Sequence, residues 1–339
     1  MTQGDFGPGP SCETTRRAFI ATMAGAVLAA PVAVEGQPGK AMPRIGVLSP
    51  AGAAAGLPNL HALQAGLREL GYVEGQNIAI EVRWAEGHTE RLDQLAAALV
   101  RLPVQVLCTA GTQASQAAQR STSTIPIVFA NVGFPDRTGL VASYARPGRN
   151  ITGVAFIGPE YGKRLELLKE ARPGLARVAL IYNPENQGGV LAFEETRRWA
   201  ATLGVRLDPY GFRGPHDFES IFGSIASNRP DALMTTADPL IHSYRVRIAD
   251  FALKHRLPSM YPGREFVDSG GLMFYGGSIP EMYRRAAVYV DRILKGARVG
   301  DLPVEQPTKF DMVINLKTAQ ALGLTIPPSL LQRADDVIQ

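Results

Sequence analysis

Polar and aromatic residues recur in this sequence just after short apolar runs, and their types decide what chemistry they could support. Ser49 ends the run that starts at Arg44, Thr112 and Gln113 follow Thr109, and Asn131 and Phe134 follow the run Ile125 to Ala130. Further along come Tyr182 with Asn183, Asp238 after Thr236, then Tyr261 and Tyr275. Hydroxyls, amides and rings of this kind can hold a small molecule. Backbone N–H groups at a helix start near Gly111 and Thr112 would suit a carboxylate, and Asp238 could meet an ammonium through a charge-assisted hydrogen bond. Together they would hold the two ends of a zwitterion, with Tyr182, Tyr261 and Phe134 enclosing its side chain. Each residue also has a structural reading. Thr112 and Asp238 could be helix N-caps, the latter ahead of Pro239, and Tyr182 could fill a core.

Other chemistries are missing from the pattern. Gly52 to Gly56 follows the first apolar run but lacks the G-x-G-x-x-G spacing, and there is no Walker A sequence, no G-x-S-x-G and no H-E-x-x-H. His61, His88, His216, His242 and His255 stand far apart, none with a His or Cys at metal spacing, so no metal and no cofactor is expected. Cys12 and Cys108 are the only cysteines and cannot build a disulfide framework. The chain has 35 Lys plus Arg against 31 Asp plus Glu, a formal charge of +4, scattered without a basic tract, which argues against a nucleic-acid partner. With 339 residues and 45% hydrophobic residues, it has enough chain and apolar surface for two cores.

The elements that must position these residues alternate strand and helix. The run from Arg44 is followed by Leu60, Leu63, Leu67 and Leu70 at helical spacing and a stop at Gly71. Ile78 to Val82, a helix over Arg91 to Arg101, Val104 to Thr109, a helix after Gly111, and Ile125 to Phe129 complete a first set. The order then recurs from Val178: a helix to Gly204, a strand over Val205 to Tyr210, a helix over His216 to Asn228, Asp231 to Thr236, and Leu257 to Tyr261. Pro50 with Pro184, Gly71 with Gly204, and Pro126 with Pro258 pair at offsets of roughly 130 residues, well above the 20 to 50 of solenoid repeats. The expectation is an α/β protein of two similar Rossmann-like lobes with parallel sheets, whose strand-end loops face each other across a cleft.

Several motifs converge on a family: Ile125-Pro126-Ile127-Val128-Phe129, Gly139 to Ser143, Arg146 to Gly153, Leu165 to Glu170, Ile181-Tyr182-Asn183-Pro184, and Val313 to Gly323. From Arg44 to about Pro328 the chain resembles the solute-binding proteins of ABC importers, in the group with tryptophan- and tyrosine-binding members. It departs from them at Val132-Gly133-Phe134-Pro135-Asp136, where relatives often carry Asp-Pro and this chain has a ring instead of a carboxylate. The resemblance implies the type I periplasmic-binding-protein fold, with 43–155 and about 278–303 in one lobe, and 156–277 and about 304–339 in the other. Three crossings near Val154, Gly277 and Pro303 would form the hinge. It also implies a monomer that takes a small solute to ABC transporter permease subunits and does no covalent chemistry. On the residues alone, an enzyme working in the same cleft or a ligand-sensing domain of a membrane receptor stays open. A DNA-binding repressor would instead carry a helix-turn-helix at its N-terminus.

At that N-terminus, residues 1–37 read as an export signal and linker. Arg16-Arg17 precedes Phe19 and an almost wholly apolar run to Ala33, too short for a bilayer span of about 20 residues. The paired arginines resemble a twin-arginine signal for the periplasm, and Cys12, ahead of them, is not in a lipobox. The mature chain is expected to begin between about Ala30 and Ala41. N-terminal sequencing of the cell-derived protein checks this, and a chain still starting at Met1 or Thr2 in the cytosol would contradict it.

Overall fold

The computed structural model describes residues 42–156 and 160–339, so the expected export segment and Cys12 lie outside the described residues. Alternation of apolar residues builds the first sheet. In β1 (Arg44–Ser49), Ile45 and Val47 enter one core layer and Leu48 the opposite one, because successive side chains of a strand face opposite sides. It is followed by α1 (Ala53–Glu69), which buries Gly56, Leu60, Leu63 and Leu67 along one face. Then come β2 (Ala79–Trp84), α2 (Leu92–Val100), β3 (Val106–Ala110), α3 (Gly111–Ser121), β4 (Ile127–Val132) and β5 (Ile151–Ala155). These strands form a five-stranded parallel sheet in the order β2-β1-β3-β4-β5.

The second half repeats that plan: α4 (Glu160–Ala171), β6 (Arg177–Tyr182), α5 (Gln187–Thr202), β7 (Arg206–Gly211), α6 (Phe218–Asn228), β8 (Ala232–Thr235), α7 (Pro239–Ser243), α8 (Arg245–Lys254), β9 (Ser259–Tyr261), α9 (Arg264–Asp268) and β10 (Met273–Gly276). Its strand order, β7-β6-β8-β9-β10, is that of the first lobe element for element. In β6, Val178 and Leu180 enter one layer and Ala179 and Ile181 the other. The chain then returns: α10 (Ile279–Leu294) packs on α1 and on β3, β4 and β5 of the first lobe. Finally β11 (Asp311–Asn315), α11 (Leu316–Leu322), α12 (Pro328–Leu331) and β12 (Asp336–Ile338) extend the second sheet. Here the sheet is not purely parallel, since β11 runs antiparallel to β10. The chain re-enters this sheet directly from a lobe crossing, without a covering helix to reverse its direction.

The crossings between the lobes are tied down by two groups. Glu305 donates its N–H to the Gly153 carbonyl and accepts from the Ala155 N–H, while its carboxylate takes two hydrogen bonds from Arg285 of α10, at 2.5 and 2.7 Å. Arg164 of α4 is 1% exposed; its guanidinium lies 5.4 Å from the Phe156 ring centre and 5.5 Å from that of Tyr161, and its Nε donates to the Tyr275 carbonyl at 2.7 Å. Its counter-charge is Glu160, equally buried and 3.8 Å away. Among the described residues no helix is long and apolar enough to cross a membrane.

This buried pair yields a prediction. Arg164→Leu leaves the Glu160 carboxylate buried without a counter-charge and is expected to cost about 3–5 kcal/mol. Burial already raises the Glu160 pKa, with Arg164 opposing that rise. In the variant the pKa climbs further, so stability is retained at low pH and lost as pH rises above the ordinary carboxylate range. Denaturant unfolding at pH 5 and pH 8 should show the larger deficit at pH 8; equal deficits would mean the guanidinium acts by packing alone.

Candidate functional site between the lobes

The carboxyl ends of the strands of both sheets meet at one narrow cleft with a cavity volume of about 30 Å³. Its apolar wall comes from the first lobe: Val47 of β1, Gly56, Leu60 and Leu63 of α1, Trp84 at the end of β2, and Ile279 and Tyr283 of α10. The second lobe supplies Thr236, Asp238 and His242 around the start of α7, with Phe266 behind them, while Ser49, Asn59 and Asn131 add polar groups from the first. None of the lining residues is a lysine or an arginine among the described residues. No group of three or more His, Cys, Asp or Glu could hold a metal among the described residues. Cys108 is buried in the core of the first lobe, and its thiol is pushed up to about 12 by that burial.

Three lining residues keep a buried polar atom without a hydrogen-bond partner among the described residues: Asn131 Oδ1, Thr236 Oγ1 and His242 Nε2. The His242 nitrogen is 3.4 Å from a Glu265 oxygen but not aligned for a hydrogen bond. Asn131 sits at a break of register in β4, with φ of +57°, a left-handed conformation that asparagine tolerates better than most residues. An unsatisfied buried polar atom costs about 1–3 kcal/mol, so three at one cavity mark a place where a ligand's donors would be welcome.

Asp238 is 3% exposed and heavily engaged. Its Oδ1 accepts from the Leu240 and Ile241 N–H groups, capping α7, and its Oδ2 accepts from Asn186 Nδ2 at 2.7 Å. Burial raises its pKa, and these hydrogen bonds work against the rise. Ser49 Oγ accepts from the Ala51 N–H. Thr112 is in the first turn of α3 and is not its cap, the N-cap position being Ala110 with no side-chain bond. It borders a smaller void, of about 10 Å³, that shares Asn131, Ala237 and Pro239 with the first.

Around this inner void the lobes touch. Gly188, opening α5, has no room for a side chain, since a Cβ would lie 2.5 Å from Thr112 Oγ1. Gln113 reaches the Glu185 carbonyl at 3.4 Å and Asn183 Nδ2 at 3.5 Å. Gln116 Nε2 donates to Gln187 at 3.0 Å, and Arg137 pairs with Glu195 at 2.8 Å. Gln113 and Asn183 therefore join lobe to lobe, and Asn183 also accepts from the Glu185 N–H.

The three aromatic residues expected to enclose a ligand, and the fourth aromatic candidate Tyr275, are elsewhere. Tyr182 stacks on Phe193 at 4.9 Å, Tyr261 is fully buried against Phe266 at 4.5 Å, and Tyr275 stacks on Phe310 at 6.1 Å. Phe134 packs on Tyr161 at 5.7 Å in a small cluster with Ala192. None of the four lines either void. A side chain at a strand end points to one face of its sheet, and for Tyr182 that is the core layer. The ring residues at the cavity, Trp84, Tyr283 and Phe266, were not among the candidates read from sequence. Trp84 could have been found, because β2 runs two residues past the expected Val82 to end on it.

Comparison with known proteins places this architecture. The chain is 26% identical over 259 residues to a tyrosine-binding protein of Clostridioides difficile, covering 76% of this chain and 74% of the relative. A conserved domain protein of Vibrio cholerae superposes with a TM-score of 0.83 at 29% identity, covering 87% of this chain and 99% of the other. An ABC domain from Streptococcus pneumoniae in complex with L-Trp superposes with a TM-score of 0.82 at 26% identity, over 87% and 99% of the two chains. The two-lobed type I periplasmic-binding-protein fold expected from the sequence is the one present. With residues 44–338 matched by the family's model, the chain belongs to the ABC transporter substrate-binding protein family.

Proposed function

We propose that this protein is the exported solute-binding component of an ABC importer. It captures one small zwitterionic amino acid between its lobes and delivers it, chemically unchanged, to the permease. The observation that carries this reading is the interlobe cavity itself: an apolar wall on the first lobe faced by three unpartnered polar atoms, two of them on the second. Such a cavity, largely apolar with a few convergent polar groups, has the make-up of a small-molecule site. The relatives named above as binding tyrosine or complexed with L-Trp favour an amino acid. The α3 N-terminus beside Thr112 suits the carboxylate, and Asn131 Oδ1, Thr236 Oγ1 and the Asp238 carboxylate suit the ammonium. A solute that touches both lobes binds the closed arrangement better than the open one, which is all that is needed to shift the population. The paired arginines ahead of the apolar N-terminal run support export by a twin-arginine signal, and the chain acts as a monomer.

A thermal-shift screen of the twenty amino acids, with aromatic acids lacking the amine as a second set, tests the reading. At one hundred times its dissociation constant the true solute is expected to add about 2.7 kcal/mol to stability. A response to none of the amino acids would reject the zwitterion. Mass spectrometry of the released solute checks that it leaves unaltered.

Thr236→Val tests the cavity chemistry separately. Removing a buried hydroxyl that has no partner is expected to stabilise the unliganded protein by about 1 kcal/mol while weakening the solute about two- to tenfold. Calorimetric melting together with titration reads both effects, and a variant that binds as tightly as the parent would take Thr236 out of the site.

A further inference from the structure

We propose that Trp84 is the residue that selects the solute's side chain, acting as a stacking platform for a flat ring. This rests on the amino-acid reading above and goes further, assigning the ring-binding end of the cavity and its orientation. Trp84 closes the edge strand β2 in register with Ser49 of β1, which brings the indole to the mouth of the same strand ends. Directly against it lies Gly56 of α1, where any Cβ would run into ring atoms Cζ3 and Cη2. Helix α1 therefore presents a bare backbone at the one turn where the indole rests. The residues that follow on the same face, Leu60 and Leu63, line the cavity beside it. The indole is only partly buried against the core of the first lobe, although burying it fully would stabilise the fold. An indole whose six-membered ring lies against a glycine, and which lines a cavity while only partly buried, is suited to offset stacking with another ring.

The cavity's asymmetry then fixes how the solute lies. Thr236 and His242, with their unpartnered atoms, come from the second lobe, and Asp238 from the same stretch. The ring seats on the first lobe against Trp84, with the carboxylate at the start of α3, and the ammonium is engaged chiefly from the second lobe as the cleft closes.

The chain has two tryptophans, and the other, Trp199 on α5, is 41% exposed and lines neither void. In Trp199→Phe, Trp84 is thus the sole indole, and saturation with L-tyrosine should change its emission on selective excitation. Titration of the parent, Trp84→Ala and Trp84→Phe is then compared for L-tyrosine, L-tryptophan, L-leucine, L-alanine, indole and 4-hydroxyphenylacetate. The ring-bearing solute should lose about tenfold or more with Trp84→Ala and about threefold or less with Trp84→Phe. Gly56→Ala, which displaces the indole without removing it, should also weaken ring-bearing solutes. An alanine variant that melts like the parent and binds the ring-bearing solute within about twofold overturns the platform but leaves the amino-acid reading standing. Parent binding of only aliphatic amino acids, or unchanged Trp84 emission at saturation, overturns it too. If only indole or 4-hydroxyphenylacetate binds, the amino-acid reading fails, and the Trp84 variants still decide the platform on those probes. Should Trp84→Ala fail to fold, the Phe and Gly56→Ala variants carry the comparison, and no loss with Gly56→Ala would overturn the proposal. Binding of nothing in the panel rejects both.

Discussion

One guanidinium sets how the two halves of this molecule are joined. Arg164 begins in the second lobe, lies over the ring of Phe156 just past β5 and over that of Tyr161 on its own helix, and donates to the Tyr275 carbonyl at the end of β10. It thereby fastens two of the three crossings to each other. The third is fastened by Glu305, which pairs with β5 through its backbone and with Arg285 through its carboxylate. A charge as deeply buried as Arg164 is held by its partners or not at all, since desolvation is offset only by Glu160, a carbonyl and two ring faces. The three crossings expected to form a hinge are thus each held by named contacts.

What touches across the cleft is weak by comparison. Arg137 with Glu195 is a partly exposed ion pair, of a kind worth about 0–1 kcal/mol, and Gln116 with Gln187 adds one neutral hydrogen bond. Gly188 permits backbone to approach backbone without contributing side-chain contacts of its own. Contacts of this strength between the lobes would leave an open–closed equilibrium to whatever occupies the cavity, because a ligand shifts such an equilibrium only by its differential affinity for the two states. The unpartnered atoms of Asn131, Thr236 and His242 fit the same logic. They lower the stability of the empty closed form, and a solute that satisfies them gains the full difference. Asp238, by contrast, spends most of its hydrogen-bonding capacity on the cap of α7 and on Asn186.

Much of this was legible in the sequence. Period-two burial in β1 and β6, the helical spacing of Leu60, Leu63 and Leu67, and the recurrence at roughly 130 residues determined two α/β lobes of matching strand order. They also determined that strand-end loops carry the site, since connection handedness in parallel sheets leaves the ligand crevice nowhere else. These are local properties, written in spacing and composition. Ser49, Asn131, Thr112 and Asp238 border the two voids because each lies at the end of a strand or the start of a helix there.

Which side chain at each strand end lines the cavity was settled only by tertiary structure. Tyr182 turns into the core of its own lobe, Tyr261 stacks on Phe266, and Phe134, with φ of +51°, is carried to Tyr161. Trp84 reaches the cavity because β2 is extended by pairing with β1, and because α1 offers a glycine against its ring. The capping of Asp238 was foreseeable from Pro239, but its bond to Asn186 joins residues 52 apart in sequence. Periodicity along one element fixes which face is apolar. The direction of a terminal residue depends instead on the register, twist and neighbours of strands far away in the chain, and no local pattern encodes those.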